Sequence, residues 1–376
     1  MKTKKLLALV LAAVMMLAMT ACLQNNAPAS NDSAAPAATD AQPADSGAAA
    51  APATTASADG APAITSIDKI DIIWSHNSPE SSAGHKIALK FKEEMETRSG
   101  GNITVTIYAN GELGSVPEND QALREGSIQI GSGTSGGLID KRLSYFDAPN
   151  LVSSNEQALA MIGRDTDLFK YTAGIYNDMG LQVLSLVPGG FRETSSNKEI
   201  RSFDDLKGLK IRTLENPTAI AYWQSWGCNP TPVAFSDLYL ALQQGLVEAQ
   251  ENAYNTISSS KLYEQQKYIV NTHHVIMWSG IYMNKAFYDS LPDDYRALLD
   301  WVCVNVMDSY AYERNIADND EALQVMKDAG LEVIDLAEED YAKMREAAAP
   351  AYELIRNDVG DEAMNILEAA IAAANG

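Results

Sequence analysis

Residues 131–137, Gly-Ser-Gly-Thr-Ser-Gly-Gly, satisfy two enzyme patterns at once. Read as Gly131-x-Gly133-x-x-Gly136, the stretch has the spacing of a dinucleotide-binding turn, where glycines let the backbone approach a pyrophosphate. Read as Gly133-x-Ser135-x-Gly137, it is a nucleophile elbow that would present Ser135 for acyl transfer. The first pattern requires a crossover helix, a second strand and an acidic residue about twenty positions on. Glu156 has the spacing, but the polar stretch LIDKRLSYFDAPN, with Pro149, stands where the helix and strand should be. The second pattern requires a later acid and histidine, and His273 and His274 do lie downstream. Yet no HGGG-like oxyanion segment precedes Ser135, and no amphipathic helix begins after it. The simpler reading is a turn of small residues that lets backbone and hydroxyls approach something in a cleft. No enzyme is expected; an α/β hydrolase using Ser135 stands as the alternative.

Other reactive side chains are few. The chain has three cysteines, Cys22, Cys228 and Cys303, and four histidines. No CxxC pair occurs and the histidines are dispersed, so neither a metal site nor a cofactor is expected. Cys228 and Cys303 read as small buried apolar side chains, with a disulfide between them as the alternative. His76 and His85 are conceivable acid–base groups, but His85 falls in a helix-start pattern that favours a structural role. A formal net charge of −22 excludes nucleic acid, since phosphate binding needs concentrated Lys and Arg. Any cation focused against such a background is placed deliberately.

The chain opens with Lys2, Lys4 and Lys5, followed by an apolar run over residues 6–19 that is too short for a comfortable membrane span. Thr20 and Ala21 then lead into Cys22, so residues 1–22 read as a lipoprotein signal peptide with Cys22 as the lipidated residue. Residues 23–63 are rich in Ala, Pro, Ser, Thr and Asp with almost nothing large to bury, the composition of a disordered tether. The expected location is extracytoplasmic, with a soluble body held to the membrane by an N-terminal lipid.

The remaining residues are enough for two domains. A β-like run at residues 70–74 precedes a helix with Ile87, Phe91 and Met95 on one face, stopped at Gly100 and Gly101. Ile103, Val105 and Ile107 alternate with threonines as in a strand. A second helix, over 119–125, runs through Gly126 into a short strand that ends in the glycine-rich turn. Strand, helix, strand, helix, strand implies a mostly parallel sheet. A second series repeats it. Leu209 and Ile211 alternate with Lys210 and Arg212, Pro217 opens a helix, Ser236 reads as an N-cap, and residues 246–252 form the last strand. Each series ends in a polar turn, and ligands in such sheets bind beyond the carboxyl ends of the strands. After Ser290 the chain reads as helical and acidic.

The stretch GLKIRTLENPTAIAYWQSWGCNPTPVAFSDLYLALQQGLVEAQEN, together with HKIALKFKEEMETRSGGNITVTIYANGELG upstream and MNKAFYDSLPDDY downstream, resembles the solute-binding proteins of TRAP transporters, the dicarboxylate-binding DctP-like family. The resemblance covers the chain from Ile70 to its end. It implies an α/β, two-lobed periplasmic-binding-protein-like fold with a central cleft, crossing strands and a long connecting helix. Lobe I is expected over 66–189 with 278–317, and lobe II over 190–277 with 318–376. The implied function is capture of a small organic acid, a sugar acid such as a uronate or a C4-dicarboxylate, by a monomeric receptor. The receptor would hand it to a membrane permease of small and large subunits. By the same resemblance Arg212 pairs with the ligand carboxylate, its planar fork suiting that group, and Arg192 lines the site. Asn252 and Asn77 hydrogen-bond the ligand, Thr134 faces it, and Phe235 forms an apolar wall or belongs to the core. Trp278 and Tyr254 either stack on the ligand or pack internally. The family usually has proline after the motif Asn, where this chain has Ala253, an expected loosening or redirection of that turn.

Overall fold

The computed structural model describes residues 59–133 and 136–375. The expected signal segment, Cys22, Thr134, Ser135 and most of the expected tether lie outside these residues. Packing nevertheless reaches into the end of that tether: Ala61 is buried, and Asp59 pairs with Arg98 at 2.8 Å.

The first series forms as its periodicity requires. Strand β1 (Ile70–Ser75) buries Ile72 and Trp74. Helix α1 (Ala83–Arg98) is capped by Ser82, whose hydroxyl accepts from the His85 N–H, and buries Ile87, Phe91 and Met95. Strand β2 (Ile103–Tyr108) pairs parallel to β1, Ile72 opposite Val105. Helix α2 (Val116–Glu125) starts where Glu118 accepts from both the N–H and hydroxyl of Ser115, and ends at Gly126 with φ +81°. Strand β3 (Ile130–Gly133) then pairs parallel to β1 on its other side. A 3-10 turn (Lys141–Asp147) and helices α3 (Asn155–Met161) and α4 (Asp167–Asp178) lead to the long strand β4 (Leu181–Ser196).

The second series follows: β5 (Lys210–Thr213), α5 (Pro217–Ser225), β6 (Asn229–Pro232), α6 (Leu238–Gln243), β7 (Ala249–Asn252) and α7 (Tyr254–Ser259). Asn216 caps α5, accepting from the Thr218 N–H at 2.9 Å, with Pro217 in the first turn. Ser236 does not cap α6. It lies inside a single 3-10 turn (Phe235–Asp237), and Asp237 precedes the helix without a side-chain cap. The tighter turn takes up the N-terminal N–H groups that a serine cap would otherwise satisfy.

Strand β8 (Tyr268–Asn284) returns antiparallel along nearly the whole of β4. The sheet order is β2-β1-β3-β8-β4-β7-β5-β6. Outward from the middle, β3-β1-β2 and β7-β5-β6 are two copies of one parallel pattern, so the fold is two-lobed. β4 and β8 are the crossing strands. Their register jumps between Pro188 and Phe191, where Gly189 and Gly190 form a bulge, a place where a proline can sit inside a sheet.

Helices α8 (Lys285–Ser290) and α9 (Asp293–Val302) follow, then a π-helical stretch (Cys303–Met307) that runs into α10 (Asp308–Asp328). Helix α10 packs on α7, β4 and α1 and is the long connecting helix. Strand β9 (Glu332–Asp335) adds to β8 inside the stretch expected to be helical, before α11 (Glu338–Ala347) and α12 (Ala349–Ala374). Cys228 and Cys303 are buried, unpaired thiols in different core clusters, so the disulfide alternative does not apply. Among the described residues no helix is long and apolar enough to cross a membrane.

Candidate functional site

The carboxyl ends of β5 and β7 carry Arg212 and Asn252, and Asn77 follows β1. Arg212 on β5 is fully buried, although its alternating neighbours suggested a polar strand face. Its Nε donates to the Val233 carbonyl at 2.9 Å, while both Nη atoms are buried without a hydrogen-bond partner among the described residues. Burial draws its pKa down to about 10; Glu251 opposes the shift and Arg192 reinforces it. A guanidinium with two buried nitrogens that no described residue engages can take a bidentate anion.

Arg192 on β4 is equally buried but occupied. Its Nε and Nη2 grip the Glu251 carboxylate, and Nη2 also reaches the Glu251 carbonyl at 2.7 Å and Asn252 Oδ1 at 3.0 Å. Burial alone raises the Glu251 pKa, but Arg192 and His274 outweigh it and bring it to about 2. His274 Nε2 lies 3.3 Å from Glu251 and its Nδ1 2.8 Å from the Thr272 hydroxyl, with Tyr222, Trp223 and Trp226 around the ring. Asn252 gives its amide to Gln250 at 2.6 Å, and Gln250 in turn donates to Ser195 at 2.7 Å. Register places Arg212 beside Gln250, so Arg212, Gln250 and Asn252 share one sheet face. Arg192 joins that face, through Asn252, to Glu251 on the other.

A cavity of about 40 Å³ lies against Arg192 and Glu251 and is bordered by Asp147, Asn216, Tyr222 and Trp278. Trp278 is buried against Phe146, with ring centres 5.0 Å apart and its indole N–H unpartnered. Asp147 was not recognised from the sequence. It accepts from the Gly137 N–H at 2.6 Å and from Asn216. Burial raises its pKa to about 6, against the pull of those bonds and of Arg192. The glycine-rich turn closes directly on this carboxylate. Gly136 has φ +125°, and a Cβ there would run into Asp147 Oδ1; one at Gly137 would lie 3.1 Å from Oδ2. Gly136–Gly137 spacing and an acid ten residues on were the only visible signals.

The remaining expected residues are less open. Asn77 is half-buried, its amide donating to the Gly114 carbonyl at 2.8 Å and its oxygen accepting from Asn119 at 3.0 Å. Phe235 is partly exposed and packs at the rim of the cluster around Leu238 and Ile257. The Tyr254 hydroxyl donates to Asn271. Ala253 has φ −67°, the value a proline ring imposes, so the turn after Asn252 is not redirected by the missing proline. His76 Nε2 and His85 Nδ1 meet at 3.1 Å. A wider concavity of about 390 Å³ lies between α11 and α12, lined by Tyr352, Met364 and Leu367, remote from the strand ends.

Neither enzyme pattern survives the fold. β3 empties through the glycine turn into the 3-10 turn at Lys141–Asp147, not into the α-helix that both a dinucleotide turn and a nucleophile elbow require. Two lobes built on crossing strands, with a buried arginine at the strand ends, define an α/β binding-protein fold. The chain belongs to the bacterial extracellular solute-binding proteins of family 7, the DctP family, whose model matches residues 74–358. This is a family of receptors, not enzymes. A solute-binding protein of Verminephrobacter eiseniae is 32% identical over 286 residues, covering 74% of this chain and 83% of that one. The C4-dicarboxylate-binding periplasmic protein DctP of Rhodobacter capsulatus is 30% identical, covering 81% of this chain and 92% of its own. The sugar acid binding protein DctPAm of Advenella mimigardefordensis, solved with galactonate, superposes with a TM-score of 0.77 at 25% identity. It covers 82% of this chain and 99% of its own.

Proposed function

We propose that this chain is the extracytoplasmic receptor of a TRAP transporter, capturing a small organic acid and delivering it to a permease of small and large membrane subunits. The observation that carries the reading is Arg212, fully buried with both Nη atoms unpartnered. A buried cation without a partner is costly, and a ligand carboxylate supplies the missing acceptors. Arg212 holds that carboxylate; Arg192 and Asn252 border it, Phe235 and Trp278 supply apolar and indole surface, and Asn77 and Thr134 complete the opposite wall. The ligand is a sugar acid such as a uronate, or a C4-dicarboxylate.

Lobe I comprises residues 66–189 with 278–317, and lobe II 190–277 with 318–376. A cavity of about 40 Å³ is far smaller than the roughly 300–1,000 Å³ of ligand pockets. Entry therefore needs the lobes to part, and closure follows because the ligand meets both lobes only when they are shut. Residues 1–22 act as the signal, Cys22 carries the lipid, the following tether spaces a monomeric receptor from the membrane, and the permease is its partner.

A thermal-shift screen over sugar acids, dicarboxylates, aromatic acids and amino acids tests the reading. A ligand at 100 times its Kd should add about 2.7 kcal/mol of stability. Stabilisation without product supports a receptor; no response to any carboxylate sinks it.

A further inference from the structure

The long connecting helix meets the crossing strands through buried amides. Asn315 and Asn319 stand one turn apart on α10 and both face the bulge of β4. Asn315 Nδ2 reaches the Pro188 carbonyl at 3.4 Å, and Asn319 Nδ2 donates to the Gly189 carbonyl at 2.9 Å. Gly189 and Gly190 fall in the register jump between β4 and β8, so Asn319 takes a carbonyl that lies outside the paired register. The same side chain also works in the other direction. Its Oδ1 accepts from the Asn255 N–H at 2.9 Å, in the first turn of α7. Ala253 is the N-cap of that helix and has no side-chain acceptor to offer, so the N–H needs one from elsewhere. One amide thus serves two backbone groups, one in a strand bulge and one at a helix start.

We infer that Asn319 is a positioning residue for Asn252, tying the ligand-side end of β7 to the point where the lobes pivot. The inference rests on the receptor reading above. Asn252 lies just before Asn255, on the sheet face of Arg212, and its own amide is held by Arg192 and Gln250. The three crossings between the proposed lobes, at 189/190, 277/278 and 317/318, converge here. Met277 packs on Gly189, where a Cβ would lie 3.0 Å from the Met277 carbonyl oxygen, and a Cβ on Gly190 would collide with the Asn319 amide. A buried amide is favourable only with its bonds made, whereas an apolar side chain would fill the same place without that condition. With both bonds made, the end of β7 and the start of α7 cannot shift against the bulge without breaking one of them. A ligand that engages Asn252 in the closed cleft therefore favours the tied state, and the tie favours the ligand by the same factor. Asn319 acts through Asn252 and need not touch the ligand.

Two variants separate this tie from ordinary stabilisation. Galactonate, galacturonate and succinate are the probes, joined by any tighter acid from the thermal-shift panel. By calorimetry, Asn319→Ala should bind the tightest of them on the order of tenfold more weakly, at a temperature where circular dichroism shows a native fold. Asn319→Asp keeps an acceptor for the Asn255 N–H but sets a carboxylate against the Gly189 carbonyl. It should cap α7 and still bind as weakly as Asn319→Ala. Wild-type affinity in either folded variant overturns the inference and leaves the receptor reading intact. In the wild-type protein, the same acid should slow amide hydrogen exchange over residues 253–259. An unchanged rate at saturation also overturns the inference, and this measurement decides should neither variant fold. If no carboxylate binds the wild type, the receptor reading fails and takes the inference with it.

Discussion

Arg192 and Asn252 are joined by a 3.0 Å hydrogen bond from Nη2 to Oδ1, while the same guanidinium grips the Glu251 carboxylate. The bond sets the orientation of the Asn252 amide, whose nitrogen is fixed on Gln250 at 2.6 Å. Two arginines that look alike in the sequence therefore have separate tasks. Arg192 is the internal brace, and Arg212 has no ion partner among the described residues.

Arg212→Ala should abolish most affinity. Removing one member of a desolvated charge pair costs about 2–5 kcal/mol, very roughly thirty- to several-thousand-fold. Arg212→Lys keeps the charge but not the planar fork and should be partly tolerated. Calorimetry with circular dichroism as a folding control decides it; wild-type affinity in folded Arg212→Ala would put the carboxylate elsewhere.

Stability should discriminate between the same two arginines in the opposite sense. Arg192→Ala leaves the Glu251 charge buried and uncompensated, a loss of about 3–5 kcal/mol. Arg212→Ala removes a buried cation that has no partner, at the expense of one bond to Val233 worth about 1 kcal/mol. Urea denaturation without ligand should find the first much weaker than wild type and the second close to it or above. Equal losses would contradict the division of roles.

His76 predicts a pH dependence. Its burial first, and then the charge of His85, lower its pKa to about 4. In the unfolded chain it returns to about 6.5, so between those values the unfolded state binds more protons and stability rises with pH. The contribution is present above about 6.5 and is lost as pH falls through about 4. Denaturation midpoints measured from pH 4 to 7 should rise across this window, and His76→Gln should flatten that slope. An unaltered slope would show that another group sets it.

Gly190 is held at φ +100°, and a Cβ there would collide with the Asn319 amide of α10. That amide donates to the Gly189 carbonyl at 2.9 Å, and its oxygen accepts from the Asn255 N–H at 2.9 Å. Gly190→Ala should destabilise by about 1–3 kcal/mol through strain at a positive φ. Small-angle scattering on wild type should show a smaller radius of gyration with ligand, and the variant a reduced change. An identical change in both would remove the bulge from any hinge role.

The thiols should be silent in the native protein. Burial raises the Cys228 pKa to about 12 and that of Cys303 still further. A chain starting after Cys22 should release no signal with a thiol-exchange reagent until denatured, when both should react. Reaction of one or neither in denaturant would contradict two free cysteines.

The elements were legible in the sequence wherever a local pattern specified them. Ile87, Phe91 and Met95 share one helical face, Ile103, Val105 and Ile107 alternate as a strand must, and Pro217 opens a helix. The repeated series implied a parallel sheet in two lobes, and the signature around Arg212 and Asn252 placed them at strand ends. Local pattern could not distinguish a 3-10 turn from a capped helix at Ser236, nor foresee β9, whose four residues form a strand only because β8 lies beside them. The site depended still more on contacts between distant segments. The family resemblance named Arg212 and Arg192 alike as site arginines; only pairing with β7 brought Glu251 to one of them and left the other without an ion partner among the described residues. The glycine-rich turn posed an enzyme's question while its answer lay in Asp147, and the contact with Asn216 crosses from one series to the next. Hydrophobic period and turn chemistry are properties of neighbours along the chain. Burial of a charge, and which opposite charge meets it, are properties of the packed sheet.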